Sequence, residues 1–244
     1  MTVLVGSGKG GVGKTSVTAG VSSALALSGA SVICLDLDAG FRNLDLALGL
    51  AEAAVPDFGD YMSGRYSLDD ILLRHPDING LYLAAAPQSP LERFEPALLT
   101  KLLNDLQSRG DYVFIDCPPG IHPEICHYAA ECDKIIVVAT PNIYSLRDAQ
   151  SFCALTGKHG GGDFSLVINR IVPRLISRNV AFDIDEIIDA VGLPLIGCIP
   201  EDSDVIACAN CCLPVMLYKN SGAATAYANI ASRLQGADIP LMKL

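Results

Sequence analysis

Short apolar runs rich in Val, Ile and Leu alternate with longer segments whose apolar positions recur every three to four residues, almost throughout the chain. The short runs read as strands at Val3–Val5, Ser31–Leu37, Leu81–Ala85, Tyr112–Asp116, Lys134–Ala139, Ser165–Asn169 and Leu195–Ile199. Between them the pattern predicts helices near residues 15–28, 67–74, 96–109, 123–131, 145–157, 183–191 and 222–235. Alternation of this kind predicts an α/β fold: a doubly wound, mostly parallel sheet flanked by helices on both faces. Several of the strands are continuously apolar, as strands buried on both faces should be. No linker and no repeat interrupts the pattern, so residues 1–244 read as a single domain. In such sheets ligands lie at the carboxyl ends of the strands.

One stretch tests this reading. Residues 17 to 35 carry no charge and resemble a membrane span in length. Ser22, Ser23, Ser28, Gly29 and Ser31 interrupt it, and a helix-to-strand switch at Gly29 accounts for it better. Lys9 and Lys14 sit among glycines rather than before an apolar core, so no signal-peptide pattern is read there.

Composition changes the picture in two respects. Half the residues are hydrophobic and 18% are charged, which marks a globular chain rather than a disordered one. The net charge of −10 opposes non-specific nucleic-acid binding, so DNA is an unlikely partner on this reading. Nine cysteines follow no repeated spacing, and Cys34, Cys117 and Cys198 lie in apolar company. They read as buried free thiols of a reducing cytoplasm. Cys208 and Cys211, with Cys212 beside them, form a C-x-x-C pair that suits metal or redox chemistry. It lacks the second pair that a closed zinc site needs.

The chemistry concentrates in Gly8-Lys9-Gly10-Gly11-Val12-Gly13-Lys14-Thr15-Ser16, which fits the phosphate-loop pattern G-x-x-x-x-G-K-[ST]. A predicted strand precedes it and a predicted helix follows it. Glycines let the backbone wrap a phosphate, and loop N–H groups with the helix N-terminus supply positive potential. Lys14 suits the β- and γ-phosphates of ATP, and the Thr15 hydroxyl suits Mg²⁺. Two further strands end in carboxylates. Asp36 and Asp38 share one face at the end of the second strand and can position Mg²⁺ and an attacking water. Asp116 closes the apolar strand Tyr112–Asp116 in the form of a Walker B element, and a Pro118-Pro119-Gly120-Ile121 turn follows. Asn169 and Arg170, and later Pro200 and Asp202, end two late strands where an amide or a proline loop suits an adenine base.

GKGGVGKTS resembles the deviant Walker A loop of the MinD/ParA family of ATPases, and DLDAGFRNLD resembles the switch I segment of its MinD branch. The resemblance runs from Thr2 to about Leu234, and includes the Val137-to-Pro141 strand end, the Tyr144-to-Ala149 helix start and the sequence Ile-Pro-Glu-Asp at 199–202. It implies a P-loop ATPase in which Lys9 crosses the interface of an ATP-dependent homodimer to the other copy's nucleotide. Asp38 is then the catalytic acid that orients water, Asp36 belongs to the Mg²⁺ and water network, and Arg42, Asn43 and Asp45 line the dimer cleft. The helix after Pro141, carrying Arg147 and Asp148, is expected beside a regulatory or activator protein. Slow basal turnover and a role in division-site or polar spatial regulation are implied with it. Two departures from the family pattern are visible. Pro119 replaces an Ala in the D-x-P-A-G segment. The family's basic amphipathic tail is replaced by a segment with Pro240 and one basic residue, Lys243, so membrane contact is expected to be weak or indirect and the location cytoplasmic. Four other readings share parts of the pattern: a DNA-partitioning ATPase, a flagellar-number regulator, a small-molecule kinase, and an iron–sulfur carrier. The carrier would need Cys126, Cys132, Cys208 or Cys211 at a dimer axis.

Overall fold

A computed structural model describes residues 1–51, 56–89, 95–120, 122–159, 162–218 and 221–242. In chain order the elements are β1 (Thr2–Gly6), α1 (Lys14–Leu27), β2 (Val32–Asp36), α2 (Asn43–Ala47), α3 (Phe58–Met62), α4 (Leu68–Ile71), β3 (Leu72–Arg74) and β4 (Leu81–Ala84). There follow α5 (Pro96–Gln107), β5 (Tyr112–Asp116), α6 (Glu124–Ala130), β6 (Lys134–Ala139), α7 (Ile143–Thr156), β7 (Asp163–Ile171), α8 (Pro173–Ile176), α9 (Ile184–Val191), β8 (Leu195–Pro200), α10 (Ser203–Asn210) and α11 (Gly222–Leu234). Ile121 of the turn and Lys243 of the tail lie outside the described residues.

Among the described residues the strands form one eight-stranded sheet in the order β3-β4-β2-β5-β1-β6-β7-β8. All neighbours run parallel except β3, which pairs antiparallel with β4. The seven strands expected from the sequence are all present, and β1 lies between β5 and β6. Side chains alternate between the two faces of the sheet. Val3, Val5, Val32, Cys34 and Phe114 pack on one face with α1 and α11. Leu4, Ile33, Leu35, Val113 and Ile115 pack on the other with α5, α6, α7 and α9. Both faces are therefore covered, which explains the unbroken apolar runs.

The helix expected near residues 67–74 is the principal correction. Only Leu68–Ile71 is helical, and Leu72–Arg74 turns into the antiparallel edge strand β3. Three apolar residues in a row fit a helix turn and a short strand equally well. The pairing of Leu72 with Ala84 and Leu73 with Leu83 decides for the strand. Short helices α2, α3 and α8, and the eight-residue α10, were not anticipated.

Gly29, at φ +101°, releases the chain from α1 towards β2, where the uncharged stretch changes from helix to strand. The segment after α11 is not helical. Arg233 holds it, donating from Nη1 to Ile196 O (2.8 Å), from Nε and Nη2 to Ile239 O (3.2 and 3.0 Å) and from Nη2 to Pro240 O (2.8 Å). No helix among the described residues is long and apolar enough to cross a membrane.

Candidate functional site

The loop from Ser7 to Gly13 leaves the carboxyl end of β1 in the middle of the sheet and feeds directly into α1. Its glycines are required by geometry at two points. Gly13 lies at φ +91°, and a Cβ there would sit 2.3 Å from Asn169 Nδ2. At Gly8 a Cβ would meet the backbone carbonyl oxygen of Asp148 at 2.3 Å, so the loop lies flush on α7. The hydroxyl of Ser7 donates to Lys9 O (2.7 Å) and closes the loop's near side.

Lys14 is 6% exposed. Its ammonium lies 3.4 Å from Ser7 Oγ and 3.4 Å from Lys9 O, and among the described residues no carboxylate comes within ion-pair distance of it. A buried ammonium with two long contacts to neutral oxygens and no ion pair carries a desolvation cost that the nearby carboxylates Asp38 and Asp116 offset only in part. An anion in the glycine loop would remove that cost.

The carboxylates gather at the ends of β2 and β5. Asp36 and Asp116 are register neighbours, each 1% exposed. Burial, then the charge of Asp116, raises the Asp36 pKa. Burial likewise raises that of Asp116, opposed by the Thr15 hydroxyl and the Lys14 charge. Asp38 is less buried; burial raises its pKa and Lys14 pulls it down. Thr15 Oγ1 donates to Asp116 Oδ2 (2.7 Å) and Thr18 Oγ1 to Asp116 Oδ1 (3.1 Å). Asp36 instead turns to its own loop: Oδ1 accepts from Asp38 N (2.8 Å) and Oδ2 from Leu44 N (3.3 Å). Its carboxylate thereby ties the two ends of the segment that carries Asp38. Arg42, in a left-handed conformation at φ +49°, pairs through Nε with Asp45 Oδ2 (3.1 Å) further along the same segment. Asn43 beside it is exposed.

Among the described residues no three Asp, Glu, His or Cys side chains converge to hold a metal by themselves. The donor set suits Mg²⁺ bound to phosphate: a Thr15 hydroxyl backed by the Asp116 carboxylate, beside a loop built for anions. The cysteines form no such site either. All nine are free; Cys126, Cys132 and Cys208 are buried, and only Cys211 is fully exposed.

A cavity of about 340 Å³ opens beside the loop, lined by Gly13, Ser16, Asn169, Arg170, Pro200 and Asp202 among others. The structure thus brings the four late-strand residues together. Two of them face the protein. Asn169 donates from Nδ2 to Val12 O (2.8 Å) and accepts from Arg170 N (2.9 Å). Asp202 caps two helices, accepting from Asp204 N, Ser221 Oγ and Ala223 N. Arg170 is fixed by Glu201 through Nε and Nη2 (2.7 and 3.1 Å). The open wall is α10, through Val205, Ile206, Ala209 and Asn210, which the sequence reading passed over. The available signal was Asp202, an N-cap residue followed by the apolar Val205, Ile206 and Ala209.

Lys9 lies on the open side of the loop, lining a second cavity with Gly10, Gly11, Val12 and Asn142. Its side chain is exposed, and its ammonium lies 5.6 Å from the ring centroid of Tyr144 on α7. Tyr144 and the neighbouring Ile143 are exposed as well.

Residues 3–214 match the family model described as the CobQ/CobB/MinD/ParA nucleotide binding domain. The chain is 36% identical over 242 residues to the septum site-determining protein MinD of Synechocystis, spanning 98% of this chain and 91% of that one. It superposes on the MinC:MinD cell division protein complex of Aquifex aeolicus with a TM-score of 0.93 at 30% identity, over 99% of this chain and 98% of that one. The MinD of Pyrococcus horikoshii complexed with Mg-ADP gives 0.84 at 27% identity, over 96% of both chains. A buried lysine in a glycine loop, carboxylates at the ends of β2 and β5, and likeness along almost the whole chain place this protein in the MinD/ParA family of nucleotide-binding ATPases, as a MinD-like cell-division ATPase.

Proposed function

We propose that this chain is a two-state switch in which ATP and Mg²⁺ join two copies face to face and hydrolysis releases them. The observation that carries the reading is the pair of lysines. Lys14 is buried beside the glycine loop with no ion pair among the described residues, whereas Lys9, five positions earlier, is exposed with its ammonium near Tyr144 on α7. One cation serves the chain's own phosphates and the other is free to serve a second copy's.

In this reading the N–H groups of Gly8 to Ser16 and the Lys14 ammonium bind and orient the phosphates. Thr15, backed by the Asp116 carboxylate, would hold a Mg²⁺, which would supply positive charge against the phosphates. Asp38 orients the attacking water. Asp36 fixes the segment that carries Asp38, through the two backbone N–H groups it accepts. The base occupies the cavity between Pro200 and α10, with Asn169 and Arg170 shaping its floor and Asp202 holding the helix ends around it. The relative in Aquifex aeolicus is seen in complex with MinC. The exposed start of α7, with Ile143 and Tyr144, is the surface through which a regulatory protein would reach Lys9 in this chain.

Mass by light scattering tests the switch. Asp38→Ala, which stalls hydrolysis, is expected to double in mass with ATP and Mg²⁺ but not with ADP. Adding Lys9→Ala should return it to a monomer. A monomer with ATP under all conditions would overturn the reading.

A further inference from the structure

We propose that Thr18 is a positioning residue for the metal site: it holds the Asp116 carboxylate at the distance from which it supports Thr15 rather than entering the metal's own shell. The inference rests on the Mg²⁺-nucleotide reading above and assigns a role to a residue outside the phosphate-loop pattern.

Thr15 and Thr18 are three residues apart on α1 and therefore share a face. That face meets the end of β5. The two hydroxyls take one carboxylate oxygen each, Thr15 on Oδ2 and Thr18 on Oδ1. Thr18 is fully buried and Asp116 nearly so, so water cannot replace the bond between them. Among the described residues these are the two hydrogen bonds made by the Asp116 carboxylate, and they fix its rotation about the last side-chain bond. A carboxylate so fixed keeps Oδ2 on the Thr15 proton. The lone pairs of Thr15 are then directed away from Asp116, towards the loop where phosphate oxygens lie.

Without the Thr18 hydroxyl, Oδ1 becomes a buried acceptor with no donor. The carboxylate can relieve this by rotating, which breaks its bond to Thr15. Thr15 then loses its orientation. Partners that orient a metal ligand in this manner typically contribute 10- to 100-fold to metal affinity.

The test is ADP affinity as a function of Mg²⁺ concentration, followed by calorimetry, on wild type, Thr18→Val, Thr18→Ala and Thr18→Ser. The two variants without a hydroxyl should need roughly 10-fold or more Mg²⁺ for half of the Mg²⁺-dependent gain in ADP affinity. Their ADP affinity in EDTA should match wild type. Thr18→Ser should restore the wild-type midpoint. Should Thr18→Val fold poorly beside β5, Thr18→Ala, which suits a helix better, carries the comparison. An unchanged Mg²⁺ midpoint in a folded hydroxyl-free variant would overturn the proposal and leave only a structural role. A wild type whose ADP affinity ignores Mg²⁺ would overturn the Mg²⁺-nucleotide reading itself.

Discussion

At the scale of single residues the molecule separates groups held for chemistry from groups held for shape. His75 is of the second kind. It is 2% exposed, its Nε2 lies 3.0 Å from Leu48 O, and its Nδ1 accepts from Asp77 N and Ile78 N, both at 3.0 Å. A proton on Nδ1 would face two N–H donors, so this arrangement needs the neutral ring. Burial lowers its pKa from the usual 6.5. Because the folded value lies below the unfolded one, stability from this site is present above about pH 6.5 and is lost as pH falls through the folded value. Urea titrations at pH 7, 6 and 5 should show wild type losing up to about 1.4 kcal/mol per pH unit more than His75→Gln below pH 6.5. Parallel pH profiles would count against it. Lys14 and Thr15 stand out in the sequence by the spacing of the phosphate loop, Asp116 by its place at the end of an apolar strand, and Asp38 by the family resemblance of its segment. Thr18, His75 and the inward turn of Asp36 do not, since each depends on which group a side chain meets after folding.

At the scale of elements, α1 links the loop to the rest of the fold. It is buried nearly all round, lying between the sheet and α11. Close approach is possible because Gly20 faces Tyr227: a Cβ there would come 2.3 Å from Cδ2 of a ring that is itself 1% exposed. Gly20→Ala should therefore destabilise the fold by about 1–3 kcal/mol, despite alanine's advantage of roughly 1 kcal/mol within a helix. A thermal melt that rises instead would show that α11 moves aside. The bounds of α1 were readable because Gly13 and Gly29 punctuate them. Those of β3 were not, because a three-residue edge strand is specified by its partner β4 rather than by its own pattern. The helix α10 was missed for a related reason: several of its apolar residues line a cavity instead of the core.

For the whole molecule, alternation of strand and helix was enough to foresee a parallel sheet, and the phosphate-loop motif was enough to place the site at its centre. Strand order was not readable, because it depends on crossovers that leave no local mark. The assembled site predicts how the enzyme behaves alone. If Lys9 serves the other copy's phosphates, as proposed, an isolated copy lacks one transition-state cation. Basal ATP turnover by the purified chain should fall well below the 1–100 s⁻¹ typical of kinases and should rise when a regulatory protein engages α7. Steady-state phosphate release measures this directly, and kinase-like turnover without any partner would contradict it.

The Arg233 clamp has a practical consequence of its own. Ser221, at the head of α11, bonds to Asp202 just beyond the carboxyl end of β8. Arg233, one residue before the helix ends, bonds to Ile196 near the opposite end of the same strand. A helix of 13 residues spans about 20 Å, so the segment that Arg233 holds at Ile239 and Pro240 lies on the side remote from the glycine loop. A fluorophore or surface tether fixed there would leave the nucleotide mouth open, giving single-molecule work a handle that does not obstruct pairing of two copies.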